Sequence, residues 1–153
     1  MPNESVGFKS GLGGLSAADM LVQIGPTVHV DIGRKSRSEP GKAPDLAGKR
    51  IKALIDTGAG GDCIDETLAQ ELRLPATEKG VISGVGGRHE AVIYTARLYV
   101  PALDRLLFQQ FTGVRLAEGE QLHRVLLGRT FLRHYRMSYD GVSGQVELST
   151  GED

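Results

Sequence analysis

The sequence is poor in cysteine, in aromatic residues and in charge of one sign. Only one of its 153 residues is cysteine, Cys63, which excludes an internal disulfide framework and fits a reducing compartment. Aromatic residues make up 5 % of the chain, so we expect no stacking platform for single-stranded nucleic acid. The formal net charge of −1 gives no reason to expect a nucleic-acid partner or binding to an anionic membrane.

Long hydrophobic runs are also missing. No stretch reaches the roughly 18 apolar residues of a membrane-spanning helix. The first residues lack the basic segment and apolar core of a signal peptide. We therefore expect no membrane association and a cytoplasmic location. A chain of 153 residues is the right size for one domain with a single core.

Residues that commonly bind metals are too scattered to form a site. One cysteine offers no cluster, and the four histidines lack the spacing of metal ligands; they are His29, His89, His123 and His134. We expect no metal and no cofactor. Cys63 lies on a predicted strand, which favours a core thiol over a nucleophile with a histidine partner.

Glycine, in contrast, is abundant, with 21 residues. Short alternating segments separated by Gly-rich stretches predict a β-rich chain with many tight turns. Strands are predicted over residues 27–32, 49–55, 91–101 and 124–127, with a hairpin over 137–140 and 144–148. Residues 106–116 are predicted to be a strand pair or a strand and a loop. Two short helices are predicted over residues 65–72, with Asp65 as the N-cap, and 130–135.

The strand pattern also divides the chain. Residues 1–26 are predicted to be an N-terminal arm, mobile in part, that contains one strand. A single domain follows over residues 27–150. Residues 34–48 are rich in Ser, Pro, Gly and charge, and are predicted to be a long loop inserted between two strands of that domain.

An aspartate stands at the end of the predicted strand over 49–55. Asp56 begins the triplet Asp56-Thr57-Gly58, and Ala59 follows it. A carboxylate at the end of a buried strand is costly unless it is paired or hydrogen-bonded. The glycine permits a tight loop that another chain can approach, and the threonine hydroxyl can donate and accept hydrogen bonds. Taken alone, this string also fits an ordinary strand-to-turn junction.

Two further motifs follow along the chain. Residues 83–87 form a Gly-rich hairpin, and residues 126–129 are two leucines, a glycine and an arginine before the second predicted helix. These two motifs follow the Asp56-Thr57-Gly58 triplet along the chain. Together the three motifs resemble those of the retroviral-type aspartic protease family, the retropepsins and their cellular and bacterial relatives. The resemblance runs from about residue 27 to about residue 148.

The resemblance implies an all-β, mostly antiparallel fold like the closed barrel of acid proteases, with one or two short helices, assembled as an obligate two-fold dimer. Asp56 is then the catalytic carboxylate, and the active-site loop continues through Thr57, Gly58 and Ala59. A flap closes over the peptide substrate, formed by Ile82, Ser83, Gly84, Val85, Gly86 and Gly87. A strand behind the loop and the arginine after it support the site; they are Leu126, Leu127, Gly128 and Arg129.

One Asp-Thr-Gly triplet is half of such a site. Peptide hydrolysis by this route needs one carboxylate that activates a water and one carboxylic acid that polarises the carbonyl. Two carboxyls about 3 Å apart share a proton, so their pKa values separate. Asp140-Gly141 lacks the middle residue and the apolar lead-in of a second triplet. A two-fold homodimer supplies the second Asp56.

The match has one departure. Retroviral enzymes often carry two acidic residues after the alanine, where this chain has Gly60 and Gly61. The carboxylate that usually receives Arg129 is therefore missing, and Asp62 is the candidate substitute.

Two alternatives to a protease are open. An inactive dimerisation or peptide-binding module that keeps the fold is favoured by the glycines at 60 and 61. A nucleotide-binding protein is disfavoured, because the glycines at 83–87 lack the Lys-Ser/Thr of a phosphate-binding loop and precede a strand.

Overall fold

The structure is a computed structural model that describes residues 3–8, 13–84, 87–119 and 121–150. The strands within these ranges are β1 (Asn3–Ser5), β2 (Thr27–Gly33), β3 (Lys49–Ile55), β4 (Asp62–Asp65), β5 (Ala76–Gly84), β6 (Gly87–Val100), β7 (Arg105–Val114), β8 (Val125–Leu127), β9 (Arg136–Asp140) and β10 (Gln145–Ser149). The helices are α1 (Ala17–Ile24), α2 (Glu66–Glu71) and α3 (Arg129–Leu132), and a turn of 3-10 helix covers Pro101–Leu103.

Six strands close into a barrel. They are hydrogen-bonded in the order β2-β3-β8-β4-β7-β6, and β2 pairs with β6 to complete the ring, which removes the exposed sheet edges. Within the ring, β3 with β8 and β4 with β7 are parallel, and the other pairs are antiparallel. β5 extends from the ring as the antiparallel partner of β6. The barrel confirms the expected all-β, mostly antiparallel fold.

Alternate residues of the barrel strands form the core, as the period of two predicts. Fully or almost fully buried apolar side chains on β2, β3 and β8 are Val28, Val30, Ile32, Ala53, Ile55, Val125 and Leu127. Each buried Val, Leu or Ile side chain of this kind stabilises the fold by roughly 1.5–3 kcal/mol when it leaves water. Ile55, immediately before the candidate catalytic loop, belongs to this core.

A second, three-stranded sheet has the order β1-β10-β9. The hairpin of β9 and β10 was expected from the sequence and is confirmed. β1 lies in the predicted N-terminal arm and pairs antiparallel with β10. In the described part of the chain β9 is an edge strand, because it pairs with β10 alone.

The helices match the expectation in two of three cases. α2 begins after Asp65, whose side chain accepts the Leu68 N–H as predicted, and α3 begins one residue before the predicted start. The sequence prediction lacks α1, which is held by a capping box between Ser16 and Asp19. α1 has eight residues and buries Leu21, so it offers only about two turns of pattern from which a helix can be predicted. None of the helices in the described ranges is long and apolar enough to cross a membrane.

The stretch 34–48 connects β2 to β3. It is folded against the barrel at its end: Leu46 is buried, and Arg37 bridges Asp45 through backbone hydrogen bonds. The division of the chain at residue 26 stays a prediction.

Candidate active site

Asp56 lies at the first position after β3. Its N–H donates to the carbonyl oxygen of Leu127 on β8 at 2.9 Å, which extends the parallel pairing of the two strands. β8 lies between β3 and β4, so the segment from residue 56 to residue 61 must pass around the end of β8 to join them. The topology therefore presents Asp56 on a loop at one end of the barrel.

Hydrogen bonds inside this loop orient the carboxyl group of Asp56. The Gly58 N–H donates to Asp56 Oδ1 at 2.9 Å, and the Ala59 N–H donates to the Asp56 carbonyl oxygen at 3.2 Å. A Cβ at position 58 would lie 3.2 Å from Oδ1, so glycine leaves room for the carboxylate. Asp56 is half-buried and Thr57 is exposed. The loop thus holds one carboxyl group at the surface in a fixed orientation.

The turn that begins α3 supports the loop from behind. The N–H groups of Arg129 and Thr130 donate to the carbonyl oxygens of Ala59 and Gly60 at 2.9 and 3.0 Å. Gly128 lies so close that a Cβ there would be 2.7 Å from the Ala59 carbonyl oxygen. Backbone contact of this kind requires glycine, which explains the Gly of the motif at 126–129.

Arg129 reaches the same loop with its side chain. Its Nη1 donates to the carbonyl oxygen of Thr57 at 2.8 Å. The suggestion that Asp62 substitutes as its carboxylate partner is wrong, because the Asp62 oxygens accept hydrogen bonds from Gly128 and Gln109. Arg129 fixes the loop through a backbone carbonyl, which needs no acidic residue at position 60 or 61.

Asp62, which the sequence suggested as the carboxylate partner of Arg129, is instead a buried residue beside the loop. Its exposed fraction is 2 %. Oδ1 accepts the Gly128 N–H at 2.8 Å, and Oδ2 accepts from Gln109 Nε2 at 3.3 Å. Burial raises the pKa of Asp62 to about 6, although hydrogen bonds from the Gly128 N–H and the Thr130 side chain act in the opposite direction. The sequence feature that could have indicated this buried position is an aspartate at the start of a buried strand.

A row of side chains crosses the barrel wall next to Asp56. Residues paired laterally on β3, β8, β4, β7 and β6 share one face; they are Leu54, Leu126, Cys63, Thr112 and Ile93. All are half-buried, and they alternate with the core residues of the same strands. The result is a shallow, mainly apolar surface on the outside of the barrel.

Cys63 belongs to this row, so the expectation of a core thiol is wrong: its side chain is half-buried and points away from the core. Burial raises the pKa of the Cys63 thiol, and the carboxyl charges of Asp62 and Asp56 raise it further. A raised pKa lowers the thiolate fraction, which disfavours a role as nucleophile.

The hairpin of β5 and β6 contains the predicted flap. Ser83 pairs with Arg88 and Gly84 with Gly87, whose φ of +97° favours glycine. The predicted tip residues Val85 and Gly86, and the side chain of Ile82, lie outside the described part of the chain.

A cavity of about 550 Å³ opens beside the loop. Its lining is mostly apolar and consists of Pro26, Ile55, Asp56, Thr57, Met137 and Tyr139. Tyr139 on β9 is 56 % exposed. The second sheet therefore reaches the surface that carries Asp56. In the ranges that the structure describes, no three His, Cys, Asp or Glu side chains are grouped to hold a metal ion.

Comparison with known proteins identifies relatives of this fold. A retropepsin-like aspartic protease from Rickettsia conorii has a TM-score of 0.53 at 15 % identity, covering 95 % of this chain and 89 % of that one. The EIAV protease in an inhibitor complex gives a TM-score of 0.47 at 21 % identity, with 71 % and 85 % covered. The protease of simian foamy virus (mac) gives 0.45 at 14 % identity, with 70 % and 91 % covered.

The family assignment comes from the sequence itself. No curated protein matches the chain. Residues 45–134, more than half of the chain, match the model of the family described as gag-polyprotein putative aspartyl protease. This span contains the loop of Asp56, the β5–β6 hairpin and the Gly128-Arg129 turn. The chain therefore belongs to the aspartyl protease family of gag polyproteins, with a retropepsin-like fold.

Proposed function

We propose that the protein is an aspartic endopeptidase whose catalytic pair consists of Asp56 from each subunit of a two-fold homodimer. The position of Asp56 carries the proposal. Its carboxyl group is oriented by the Gly58 N–H on a loop tied to β8 and α3, yet it is half-exposed at the surface. In the part of the chain that the structure describes, that carboxyl has no hydrogen bond to a second carboxyl group. A second subunit would complete the site.

The two carboxyl groups would act in different protonation states. At about 3 Å from one another they share one proton, because both cannot be ionised at that distance. The ionised group takes a proton from water as the water oxygen attacks the peptide carbonyl carbon, and the protonated group gives its proton to the carbonyl oxygen. Collapse of the tetrahedral intermediate breaks the C–N bond: the amine leaves with the proton that the first carboxyl group took from water, and a hydroxyl of the intermediate returns its proton to the second carboxyl group. Activity should be greatest at acidic pH, where one proton remains on the pair.

The substrate that fits this site is a peptide in extended conformation. The half-buried row on the barrel wall would form the floor for its apolar side chains, with Leu54 and Leu126 nearest to Asp56. The β5–β6 hairpin, including Ser83 and Gly87, would close over it as the flap. Strand-like backbone of the peptide could then pair with the hairpin.

The surface around Asp56 also suits the proposed homodimer. The exposed Thr57 and the cavity lined by Met137 and Tyr139 lie beside it, and β9 offers an edge for pairing in the described part of the chain. Exposed apolar side chains next to a sheet edge are typical of association surfaces. A second copy seated here would bring its own Asp56 towards the first.

The Asp56→Asn variant tests the proposed chemistry. We expect it to lose cleavage of a peptide library at every pH between roughly 3 and 7 while it sediments as the same dimer as the wild type. Asp140→Asn is the matched control, because Asp140 also precedes a glycine but is the last residue of β9, and it should cleave normally. Full activity of Asp56→Asn would disprove the mechanism.

A peptide-binding module without activity is the second candidate, favoured by Gly60 and Gly61 in place of acidic residues. It predicts a dimer that binds extended peptides with no cleavage by the wild type over the same pH range. Isothermal titration with uncleaved peptides, alongside the cleavage assay, distinguishes the two candidates.

A further inference from the structure

Asp62 stands at the centre of the contacts that hold the candidate catalytic loop. Its carboxyl group is 2 % exposed at the start of β4, immediately after the loop. Three hydrogen-bonding groups surround it, from three parts of the chain: the Gly128 N–H before α3, Gln109 on β7 and the Thr130 side chain in α3. A buried carboxyl group satisfied in this way keeps its partners in one arrangement.

The contact with Gly128 leads directly to Asp56. Gly128 precedes the two amide groups, of Arg129 and Thr130, that hold the carbonyl oxygens of Ala59 and Gly60. A Cβ at Gly128 would be 2.7 Å from the Ala59 carbonyl oxygen, so this turn has almost no room to shift without moving the loop. Loss of the acceptor for the Gly128 N–H would leave that buried group unsatisfied.

We propose that Asp62 is a positioning residue of the hydrolytic reaction, whose buried carboxyl group holds the Gly128 turn and through it the Asp56 loop in the geometry that catalysis needs. This inference rests on the proposed function, because it concerns the rate of that reaction. In the described part of the chain the hydrogen bonds of Asp62 lead to Gly128 and Gln109, so it acts on Asp56 through the backbone of the Gly128 turn.

The charge state of Asp62 makes this role dependent on pH. Burial raises its pKa to about 6, so the carboxyl group is neutral over the acidic range in which the aspartate pair is expected to work. In the neutral form one oxygen accepts the Gly128 N–H and the O–H can donate to the Thr130 hydroxyl. Above about pH 6 a buried negative charge arises behind the loop, which is costly without a cation in contact.

The charged and titratable groups around Asp62 do not compensate this charge. Next to Asp62 on β4, the Cys63 thiol is affected by the negative charges of both Asp62 and Asp56, and none of these groups supplies a positive charge. From α3 the Arg129 guanidinium is directed to the Thr57 carbonyl oxygen. From β6 Arg97 lies 4.5 Å over the ring of Phe108, a residue of the cavity wall beside Asp62.

Two variants separate the positioning role from a general effect on folding. Asp62→Asn keeps an oxygen that can accept the Gly128 N–H but cannot ionise, and Asp62→Leu removes the acceptor. Asp65→Asn is the matched control, because Asp65 is also buried on β4 but caps α2 and pairs with Arg124. Kinetics are measured from about pH 3 to about pH 8, and the Gly128 amide resonance is followed by NMR over the same range in each variant.

We expect Asp62→Leu to lower kcat at least about tenfold with KM changed little, because the turn loses a buried hydrogen bond. Asp62→Asn should recover most of kcat and extend activity to higher pH. The Gly128 amide should titrate near pH 6 in the wild type and not in Asp62→Asn, whereas Asp65→Asn should leave both the pH profile and this titration unchanged.

Other outcomes have distinct meanings. If an active wild type and both Asp62 variants share one kcat and one pH profile, the positioning role is wrong and the proposed function stands. If Asp62→Leu fails to fold, the comparison of Asp62→Asn with the wild type still decides, and an unchanged alkaline limit overturns the inference. If the wild type cleaves nothing, the proposed function fails and the positioning role fails with it, even where the Gly128 amide titrates and so verifies the local contact.

Discussion

Asp62 and Asp65 lie on the same short strand, are both almost completely buried, and have pKa values shifted in opposite directions. For Asp62 burial dominates and raises the pKa to about 6. For Asp65 burial acts in the same direction, but hydrogen bonds from the Ala117 N–H, the Arg124 guanidinium and the Leu68 N–H outweigh it and lower the pKa. The two pKa values shift in opposite directions because, in the described part of the chain, only Asp65 has a cation in contact: Arg124 Nη2 lies 3.1 Å from Asp65 Oδ2.

These shifts predict opposite effects of pH on stability. A raised pKa means that the folded state binds the proton of Asp62 more tightly than the unfolded state does. The stabilisation that this proton gives to the folded state is present at low pH and is lost as pH rises through about 6. The span from 3.8 to about 6 corresponds to about 3 kcal/mol. Relative to the wild type, Asp62→Asn should therefore gain stability between about pH 4 and about pH 7. Urea unfolding at fixed protein concentration measures this difference.

Asp65→Asn provides the reverse case. The lowered pKa of Asp65 gives a contribution that is present above its unfolded pKa of 3.8 and is lost as pH falls. This variant should be less stable than the wild type near neutral pH, by about 1–3 kcal/mol, because Arg124 is partly exposed and keeps Glu71 as a partner. The deficit should shrink on acidification. A deficit of constant size would contradict the assigned direction of the shift.

Gly128→Ala should disrupt the catalytic loop. A methyl group at this position would be 2.7 Å from the Ala59 carbonyl oxygen and still closer to that of Gly61, both of them backbone atoms. We expect a loss of about 1–3 kcal/mol in the free energy of unfolding and a fall in any cleavage rate. Gly61→Ala is the control, since a Cβ at Gly61 meets no atom within 4 Å. Equal stability of the two variants would show that the turn can relax.

Gly60→Asp should restore a carboxylate next to Arg129. A Cβ at Gly60 would lie 3.6 Å from Arg129 Nη2, and the φ of Gly60 does not require glycine. The new pair is exposed, so we expect a gain of at most about 1 kcal/mol. A double-mutant cycle with Arg129→Gln measures the interaction energy of the new pair. Gly61→Asp is the control, because a Cβ at Gly61 has no atom within 4 Å. No coupling in the cycle would argue against this geometry.

His123 should make the fold sensitive to acid. It is 3 % exposed, and its Nε2 lies 2.7 Å from the Thr27 hydroxyl, which in turn donates to the Gly25 carbonyl oxygen. Burial lowers the pKa of His123, and the charge of Lys52 lowers it further. Its contribution is therefore present above the unfolded pKa of 6.5 and is lost as pH falls below it.

The variant that tests this contribution is His123→Gln, which keeps an amide donor and cannot titrate. Its stability should fall less than that of the wild type between about pH 7 and about pH 5. His29→Gln on the exposed face of β2 is the control and should follow the wild type. Parallel acid curves for His123→Gln and the wild type would refute the predicted titration.

The features that the sequence predicts correctly depend on neighbours in the chain. The alternation of Val28, Val30 and Ile32 predicts β2, and Asp65 before Leu68 predicts the start of α2. The role of Asp62 depends on Gly128 and Gln109, which are 66 and 47 residues away. A single sequence does not reveal such contacts, because they arise only when the barrel closes.

The sequence does not predict that Cys63 lies outside the core, for a related reason. The other three residues of β4 are buried, and which side of the strand faces the core depends on its pairing with β8. A shift of one residue would reverse the faces. The position of Asp56 after β3 was predictable, because apolar residues up to Ile55 lead into it.

The place of β8 between β3 and β4 has a consequence for the timing of folding. The loop of Asp56 obtains its backbone partners from Leu127 to Thr130, near the other end of the chain, so it cannot be ordered before the ribosome has made them. Contacts over such a separation also form slowly, because a long segment must first be closed into a loop. While residues 57 to 130 are being made, a growing chain therefore carries Asp56 without the backbone partners of its loop, and no catalytic site can assemble over that interval.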